Sequence, residues 1–394
     1  MKFRHILSAC VSFAALTLAS CGGGGAGGIS GTGAAGTLRL SLSDAPSCGY
    51  DAVNITVEKV RVHQDANAGT NDAGWSEIAL SPAMRVDLLT LTNGVLAELG
   101  QTQLPAGHYT QLRLVLAAND AGHPFANSVI PTGGGEVALT TPSAQQSGIK
   151  ANINIDVAAN QLADFVIDFD ACKSVVKAGN SGKYLLKPVI SVIPNFVSGV
   201  SGVVDLSLLS PSTGISLQSA TGDVVKSTVA DSNGAFLLQP VAAGTYNLVI
   251  TSPNHATAVV TGVVVVTDTV TTVSSMSNKI NPPASDSGTL TGAVTTAVTP
   301  IDASVAALQA LTGGGTITVA DAPADATTGV YSHVLATAAP VVAPAATTLT
   351  FAADPAAAGR FTLKATSNGV SKTAATVPPT LTAGTTITTN FSFP

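Results

Sequence analysis

Val53-Asn54-Ile55-Thr56-Val57-Glu58 sets β-branched apolar residues against polar ones at a strict period of two, and Gln111-Leu112-Arg113-Leu114-Val115-Leu116 repeats the pattern with leucine. Successive side chains leave a strand on opposite sides, so this alternation marks strands with one face on a core. From Thr37 onward, short β-branched runs of this kind are punctuated by Gly, Pro, Asn and Asp, and no long stretch keeps a helical period. The expected fold is all-β, built from sandwiches. Two segments stay ambiguous. In residues 86–99, Asn93-Gly94 is a hairpin-turn candidate, and residues 95–99 read as a short strand or a helical turn. Residues 304–311 read as a helix started by Asp302 or as a strand.

The N-terminus carries different information. Lys2, Arg4 and His5 precede an apolar stretch, residues 6–18, that is too short to span a bilayer. Leu18-Ala19-Ser20-Cys21 closes it with small residues suited to a signal peptidase, and glycines follow at once. This is the pattern of a bacterial lipoprotein signal peptide over residues 1–20, with Cys21 as the lipidated residue. The expected localisation is the cell envelope, anchored through lipid, and Gly22 in place of Asp favours the outer membrane. Residues 21–36 are a Gly-rich tether that cannot bury enough surface to order itself. The dinucleotide-like Gly31-Thr32-Gly33-Ala34-Ala35-Gly36 within it lacks a flanking strand and helix, so it implies no nucleotide.

Three larger units are expected: 37–194, a β-rich domain; 195–283, a β-sandwich; and 284–394, a degenerate second β-sandwich. Pro188 and Pro194 punctuate the first boundary and Asn281-Pro282-Pro283 the second. Within the second unit, Thr221-Gly222-Asp223, Asp231-Ser232-Asn233-Gly234 and Ala242-Ala243-Gly244 are turns, which puts Phe236, Leu238, Tyr246, Leu248 and Ile250 on inward positions. The third unit echoes it in Asp325-Ala326-Thr327-Thr328-Gly329-Val330-Tyr331 and Gly359-Arg360-Phe361, separated by an Ala/Pro-rich insertion over residues 336–347. In that register 304–311 is strand. Gly107-His108-Tyr109 in the first unit and Gly244-Thr245-Tyr246 in the second share a turn glycine before an aromatic, a structural device that implies no ligand.

Composition narrows the partners. Without residues 1–20 the chain holds 15 basic and 23 acidic side chains, a balance of −8, which gives no footprint for nucleic acid and no polybasic patch for anionic lipid. Attachment to a membrane then falls to the lipid. Aromatic residues make up only 4% of the chain and Trp75 is the sole tryptophan, which weakens a lectin reading because sugars stack on aromatic faces. With Cys10 in the leader and Cys21 lipidated, Cys48 and Cys172 remain in an oxidising compartment. A bridge between them is expected, two independent thiols being the alternative.

Two resemblances rest on particular blocks. Gly36-Thr37-Leu38-Arg39-Leu40-Ser41-Leu42-Ser43-Asp44-Ala45-Pro46, Val57-Glu58-Lys59-Val60, Val86-Asp87-Leu88-Leu89 and Leu104-Pro105-Ala106-Gly107-His108-Tyr109 resemble the bacterial domain of unknown function 4382 family over about residues 36–194. That likeness implies an exported β-rich domain of lipoproteins and no activity. Asp231-Ser232-Asn233-Gly234-Ala235-Phe236 with Ala243-Gly244-Thr245-Tyr246 resembles the carboxypeptidase regulatory-like and starch-binding-like domains. These imply an immunoglobulin-like or prealbumin-like sandwich and, for some members, carbohydrate binding. The catalytic metal ligands of a carboxypeptidase are missing.

Candidate chemistry is sparse. Asp164, Asp168 and Asp170 fall on one side of a strand ending near Cys172, where they are either weak calcium candidates or acids paired with lysines such as Lys173, Lys183 and Lys187. Asp231 and Asn233 hold either calcium or simply their own turn. Asp44 is expected to start a turn before Cys48, with no ligand role assigned. His63, His108, His123, His255 and His333 lack zinc-ligand spacing and are expected at the surface. No nucleophile elbow or phosphate loop is present. The reading is a non-enzymatic, cofactor-free envelope lipoprotein displaying its sandwiches in series for interaction or spacing. Its partners are the membrane, reached through the lipid, and an envelope protein or glycan. The alternative is carbohydrate binding by the second unit.

Overall fold

A computed structural model describes residues 34–44, 49–141, 147–375 and 380–394. The leader, Cys21, most of the tether and Cys48 lie outside these residues. The described chain is built of strands, with one four-residue α-helix and a few 3-10 turns. No helix among the described residues is long and apolar enough to cross a membrane.

The first part of the chain supplies β1 (Ala35–Asp44), β2 (Tyr50–His63), β3 (Ser76–Asp87), β4 (Ala97–Pro105), β5 (Gly107–Leu116), β6 (Ser128–Pro131), β7 (Val137–Thr140), β8 (Ile149–Val157), β9 (Leu162–Phe169), α1 (Ala171–Ser174), β10 (Val175–Lys177), β11 (Tyr184–Leu186) and β12 (Ile190–Pro194). They form a sheet in the order β12-β9-β1-β4 facing one in the order β10-β11-β7-β6-β2-β5-β8, with β3 also on β2. Leu38, Leu40, Leu42, Val53, Ile55, Leu112, Leu114 and Phe169 are fully buried between them. Full burial of one such side chain contributes about 1.5–3 kcal/mol.

β2 and β5 depart from the one-faced pattern. Asn54 and Thr56 are buried too, because residues 117–128 cover their side of the sheet: Asn54 Nδ2 donates to Ser128 Oγ at 3.2 Å, and the Thr56 N–H donates to Asn127 Oδ1 at 3.0 Å. Gln111 and Arg113 are buried in the same way under residues 65–70, whose carbonyls accept from Gln111 Nε2 and the Arg113 guanidinium. A buried polar group must find a partner, and here the loops provide it.

The middle part supplies β13 (Gly199–Val203), β14 (Gly214–Gln218), β15 (Val224–Thr228), β16 (Ala235–Leu238), β17 (Gly244–Thr251), β18 (Ala258–Val265) and β19 (Val270–Thr272). The last part adds β20 (Ser287–Thr295), β21 (Ala303–Ala310), β22 (Thr316–Pro323), β23 (Val330–Ala336), β24 (Val341–Pro344), β25 (Ala352–Ala353), β26 (Thr362–Ser367), β27 (Val370–Ala375), β28 (Thr386–Thr388) and β29 (Phe391–Ser392). One sandwich sets β16-β13-β19 against β15-β14-β17-β18-β24-β25, and the other sets β23-β20-β28 with β29 against β22-β21-β26-β27. The architecture is a tandem of β-sandwiches.

Several ambiguities resolve. Residues 304–310 are strand, within β21, and Leu311 follows its end. Asn93 and Gly94 take left-handed φ of 55° and 76° but close no hairpin; they come after a 3-10 turn, Leu88–Thr90, and β4 starts at Ala97. The Ala/Pro-rich stretch 336–347 is more than an insertion. Its β24 pairs in parallel with β18, so the last part of the chain completes a sheet of the middle part. Tyr109 Oη donates to the Pro105 carbonyl and Tyr246 Oη to the Ala242 carbonyl, each at 3.0 Å and four residues back. The two Gly-x-Tyr blocks are therefore corner pins, as in sandwich folds that tie a strand start to its preceding turn. Gly292 marks a close approach, since a Cβ there would lie 1.7 Å from the Thr389 carbonyl oxygen.

Candidate functional site

The acidic triad does not form a calcium cradle. Parallel pairing of β1 with β9 sets Arg39 opposite Asp164 and Ser43 opposite Asp168. Arg39 hydrogen-bonds the Asp164 carboxylate, which raises the arginine's pKa, and Asn195 Nδ2 donates to the same carboxylate at 3.1 Å. Asp168 receives the Lys226 ammonium and the Ser43 hydroxyl. Asp170 lies beyond the strand and caps α1, accepting the Lys173 N–H at 3.0 Å. Burial pushes its carboxyl pKa up, against the Lys173 charge 3.5 Å away. Each acid thus has its own cation, which removes the mutual repulsion that a metal ion would relieve. Of the lysines expected nearby only Lys173 takes part; Arg39 and Lys226 are the others, and Lys226 comes from the middle sandwich. Among the described residues no group of three or more His, Cys, Asp or Glu is placed to hold a metal ion.

The remaining candidates find structural work. Asp231 Oδ1 accepts the N–H groups of Asn233 and Ala235 at 2.8 and 2.9 Å, so its carboxylate closes its turn. Asp44 ends β1, buried, and accepts the Ala171 N–H at 2.9 Å; the turn expected after it falls on residues 45–48, outside the described residues. Cys172 lies on α1, and its expected partner Cys48 falls outside the described residues. His123 is exposed and His63, His108 and His255 are exposed or half-buried, but His333 is a correction to the surface expectation. It is 5% exposed, its Nε2 donates to the Val305 carbonyl at 2.8 Å, and burial lowers its pKa.

What sequence reading missed is that the three parts lock together. Lys226 Nζ, 4% exposed, bonds Asp168 and, at 3.0 Å, Ser43. Asn93 takes the Leu237 N–H on its Oδ1 at 3.0 Å and donates its own N–H to Thr228 Oγ1 at 2.9 Å. Lys173 Nζ lies 2.9 Å from Asp321, and the Gly179 N–H donates to Asp325 Oδ2 at 2.8 Å. Burial lowers the Lys173 pKa, but Asp321 and Asp170 outweigh it and leave the ammonium above its ordinary value. Gln218 exchanges two 2.8 Å hydrogen bonds with the Thr318 backbone.

One open groove, of about 720 Å³, lies on the first sandwich where three irregularities meet. The register of β2 shifts between Val57 and Lys59 against both β3 and β5, which makes Glu58 a bulge residue. Bulges re-aim a side chain and recur beside functional sites. Opposite it, β3 loops out residues 80–83 between Ala79 and Met84. The third side is the loop 117–127, held by a reciprocal pair: Asn127 N–H donates to Asn119 Oδ1 at 2.7 Å and Asn119 Nδ2 to the Asn127 carbonyl at 2.9 Å. That frame leaves Phe125 41% exposed. Asp120 caps the loop, its carboxyl held below the usual range by the N–H of His123 and, secondarily, that of Gly122. Arg85 spans Glu136, at 2.9 Å, and Ser128. Glu58 has no hydrogen-bond or ion-pair partner among the described residues. By contrast Phe196, Phe236 and Tyr246, the aromatic residues of 195–283, are all half-buried or buried, so the middle sandwich offers no exposed aromatic platform for a sugar.

No curated protein matches the chain. Among solved structures it is similar to a type II cohesin-X-dockerin complex from Acetivibrio cellulolyticus, at 31% identity over 22% of this chain and 58% of that one, TM-score 0.19. It is also similar to the Bacillus anthracis TIE protein, at 10% identity over 91% of this chain and 51% of that one, TM-score 0.17. The Corynebacterium diphtheriae major pilin SpaA matches at 9% identity over 91% and 99%, TM-score 0.18. The chain spans little more than half the length of the first two, and all three scores are too low to carry an argument about fold or activity. The segment that bears the groove is different: residues 35–188 match the family model described as domain of unknown function (DUF4382).

Proposed function

We propose that this chain is an exported, lipid-anchored, non-enzymatic protein of the cell envelope, held at the outer membrane by Cys21, whose sandwiches act as one rigid body presenting a binding face. The observation that supports it best is the lock between the parts. Sandwiches strung on linkers would serve as spacers, but here β24 completes a sheet with β18 and a lysine with 4% exposure joins the first sandwich to the second. Rigid presentation lowers the ordering cost of binding. Anchoring rests on Leu18-Ala19-Ser20-Cys21, and several acyl chains together suffice without a spanning segment. An oxidising compartment fits a Cys48–Cys172 bridge. Asp44 bonds Ala171, the neighbour of Cys172, and the four residues from Asp44 to Cys48 reach about 14 Å when extended.

Cell fractionation tests the reading. The wild type is expected with the membranes and Cys21→Ser in the soluble envelope fraction. A Cys21→Ser protein that still sediments with membranes refutes it, as does a wild type recovered in the cytosol with residues 1–20 attached.

A further inference from the structure

We infer that the groove of the first sandwich binds a neutral glycan, with one sugar ring stacked on Phe125 and its hydroxyls bridged between Glu58, Asp120 and Arg85. This goes beyond the anchoring and presentation proposed above and does not depend on them. Three features carry it. First, Phe125 is 41% exposed in a loop whose backbone is fixed by Asn119 and Asn127, so the loop that presents its ring needs no ordering on binding. Second, Glu58 stands on a β-bulge at the edge of that ring's groove with neither a cation nor a donor among the described residues, a carboxylate placed to accept from a ligand. Third, the donors and acceptors are mixed. Glu58, Asp120 and Glu136 repel an anion, and Arg85, which lines the same groove and is 47% exposed along its side chain, repels a cation. A neutral polyol satisfies both, giving hydroxyl protons to carboxylates and accepting from the guanidinium, while its C–H face covers the ring. The first-sandwich residues that lock the sandwiches together, Ser43, Asn93, Asp168, Lys173 and Gly179, do not line the groove, so it stays open in the assembled protein.

The test uses the full chain carrying Cys21→Ser, so that lipid plays no part, on an array of neutral, sialylated and sulfated glycans, followed by calorimetric titration of the best neutral one. At least one neutral glycan is expected to bind in preference to the acidic ones. Phe125→Ala should weaken it at least tenfold and Glu58→Gln severalfold, with Glu58→Gln melting at the wild-type temperature because that side chain is exposed and Phe125→Ala still melting cooperatively, since it loses only the partly covered ring. Silence of every neutral glycan, preference for sialylated or sulfated ones, or binding indifferent to both substitutions overturns the assignment. Because Cys21→Ser is used throughout, failure here leaves the anchoring reading standing, and failure of anchoring leaves this one standing.

Discussion

Replacing Lys226 by methionine removes one charge from the contact between the first and second sandwiches and keeps the length of the side chain. Lys226 is 4% exposed and Asp168 15%, so the pair is largely withdrawn from water. Two unit charges about 3 Å apart attract by roughly 5 kcal/mol at an effective dielectric near 20, while desolvating each ion costs several kcal/mol. The intact pair therefore adds little net stability. The truncated pair differs: Asp168 keeps its desolvation cost and is left with the Ser43 hydroxyl alone on Oδ1. Loss of one partner from such a pair costs about 3–5 kcal/mol. Denaturant unfolding followed by the fluorescence of Trp75, which reports the first sandwich, together with calorimetry for the whole chain, measures it. The wild type is expected to melt in a single transition, and Lys226→Met should lower the Trp75 midpoint and split that transition in two. The double variant Lys226→Met/Asp168→Asn should recover most of the loss, since no charge is then stranded. A Lys226→Met protein as stable as the wild type, or a double variant that loses the sum of both singles, would refute the reasoning.

Acid should find His333. Its folded pKa is depressed by burial, and unfolded histidine titrates near 6.5, so the unfolded chain binds the extra proton. The stabilisation is complete above about pH 6.5 and falls by up to ~1.4 kcal/mol per pH unit as pH drops toward the folded pKa. Melting curves between pH 7.5 and 5 should therefore slope more steeply for the wild type than for His333→Gln, and equal slopes would count against a buried neutral imidazole. The Cys48–Cys172 bridge should disappear under reductant with uptake of two alkylating groups, and its loss should destabilise the first sandwich by roughly 4–5 kcal/mol on the chain-entropy model. Alkylation of both cysteines without reductant excludes it.

The strand content was legible because alternation is a local signal. Val53, Ile55 and Val57 point to the core as their spacing says, and residues 304–310 are strand as the repeat register says. What covers the second face of a strand is not local. Asn54 and Thr56 look solvent-facing in sequence, yet their partners lie more than 70 positions away, in a loop whose role no periodicity announces. The same holds for Lys173 and Asp321, and for Lys226 and Asp168: the acids beside α1 were legible as needing a cation, but Lys226 and Asp321, more than 50 positions away in other sandwiches, carried no sign that they were the partners. β24 was hidden for another reason. Pro340 and Pro344 bound a four-residue strand at Val341–Pro344, so the composition resembles a linker although the residues between them pair.

Phe125 carried one faint signal. Asp120-Ala121-Gly122-His123-Pro124-Phe125 sets a large apolar residue in a run that otherwise reads as a capped turn, outside any alternation that would bury it. A chain with so few aromatics, the described ones mostly buried or packed against its cores, leaves this ring 41% exposed beside a carboxylate that no other described residue engages. Stability alone favours neither feature, because an exposed ring forgoes burial and an unpaired acid adds to the repulsion within an already acidic molecule. The frame around them is by contrast fully hydrogen-bonded, through Asn119, Asn127 and Thr56. Order in the support combined with unsatisfied groups at the rim is the arrangement of a preorganised binding site. The second and third sandwiches, by locking onto the first through residues away from the groove, stiffen the body that carries it.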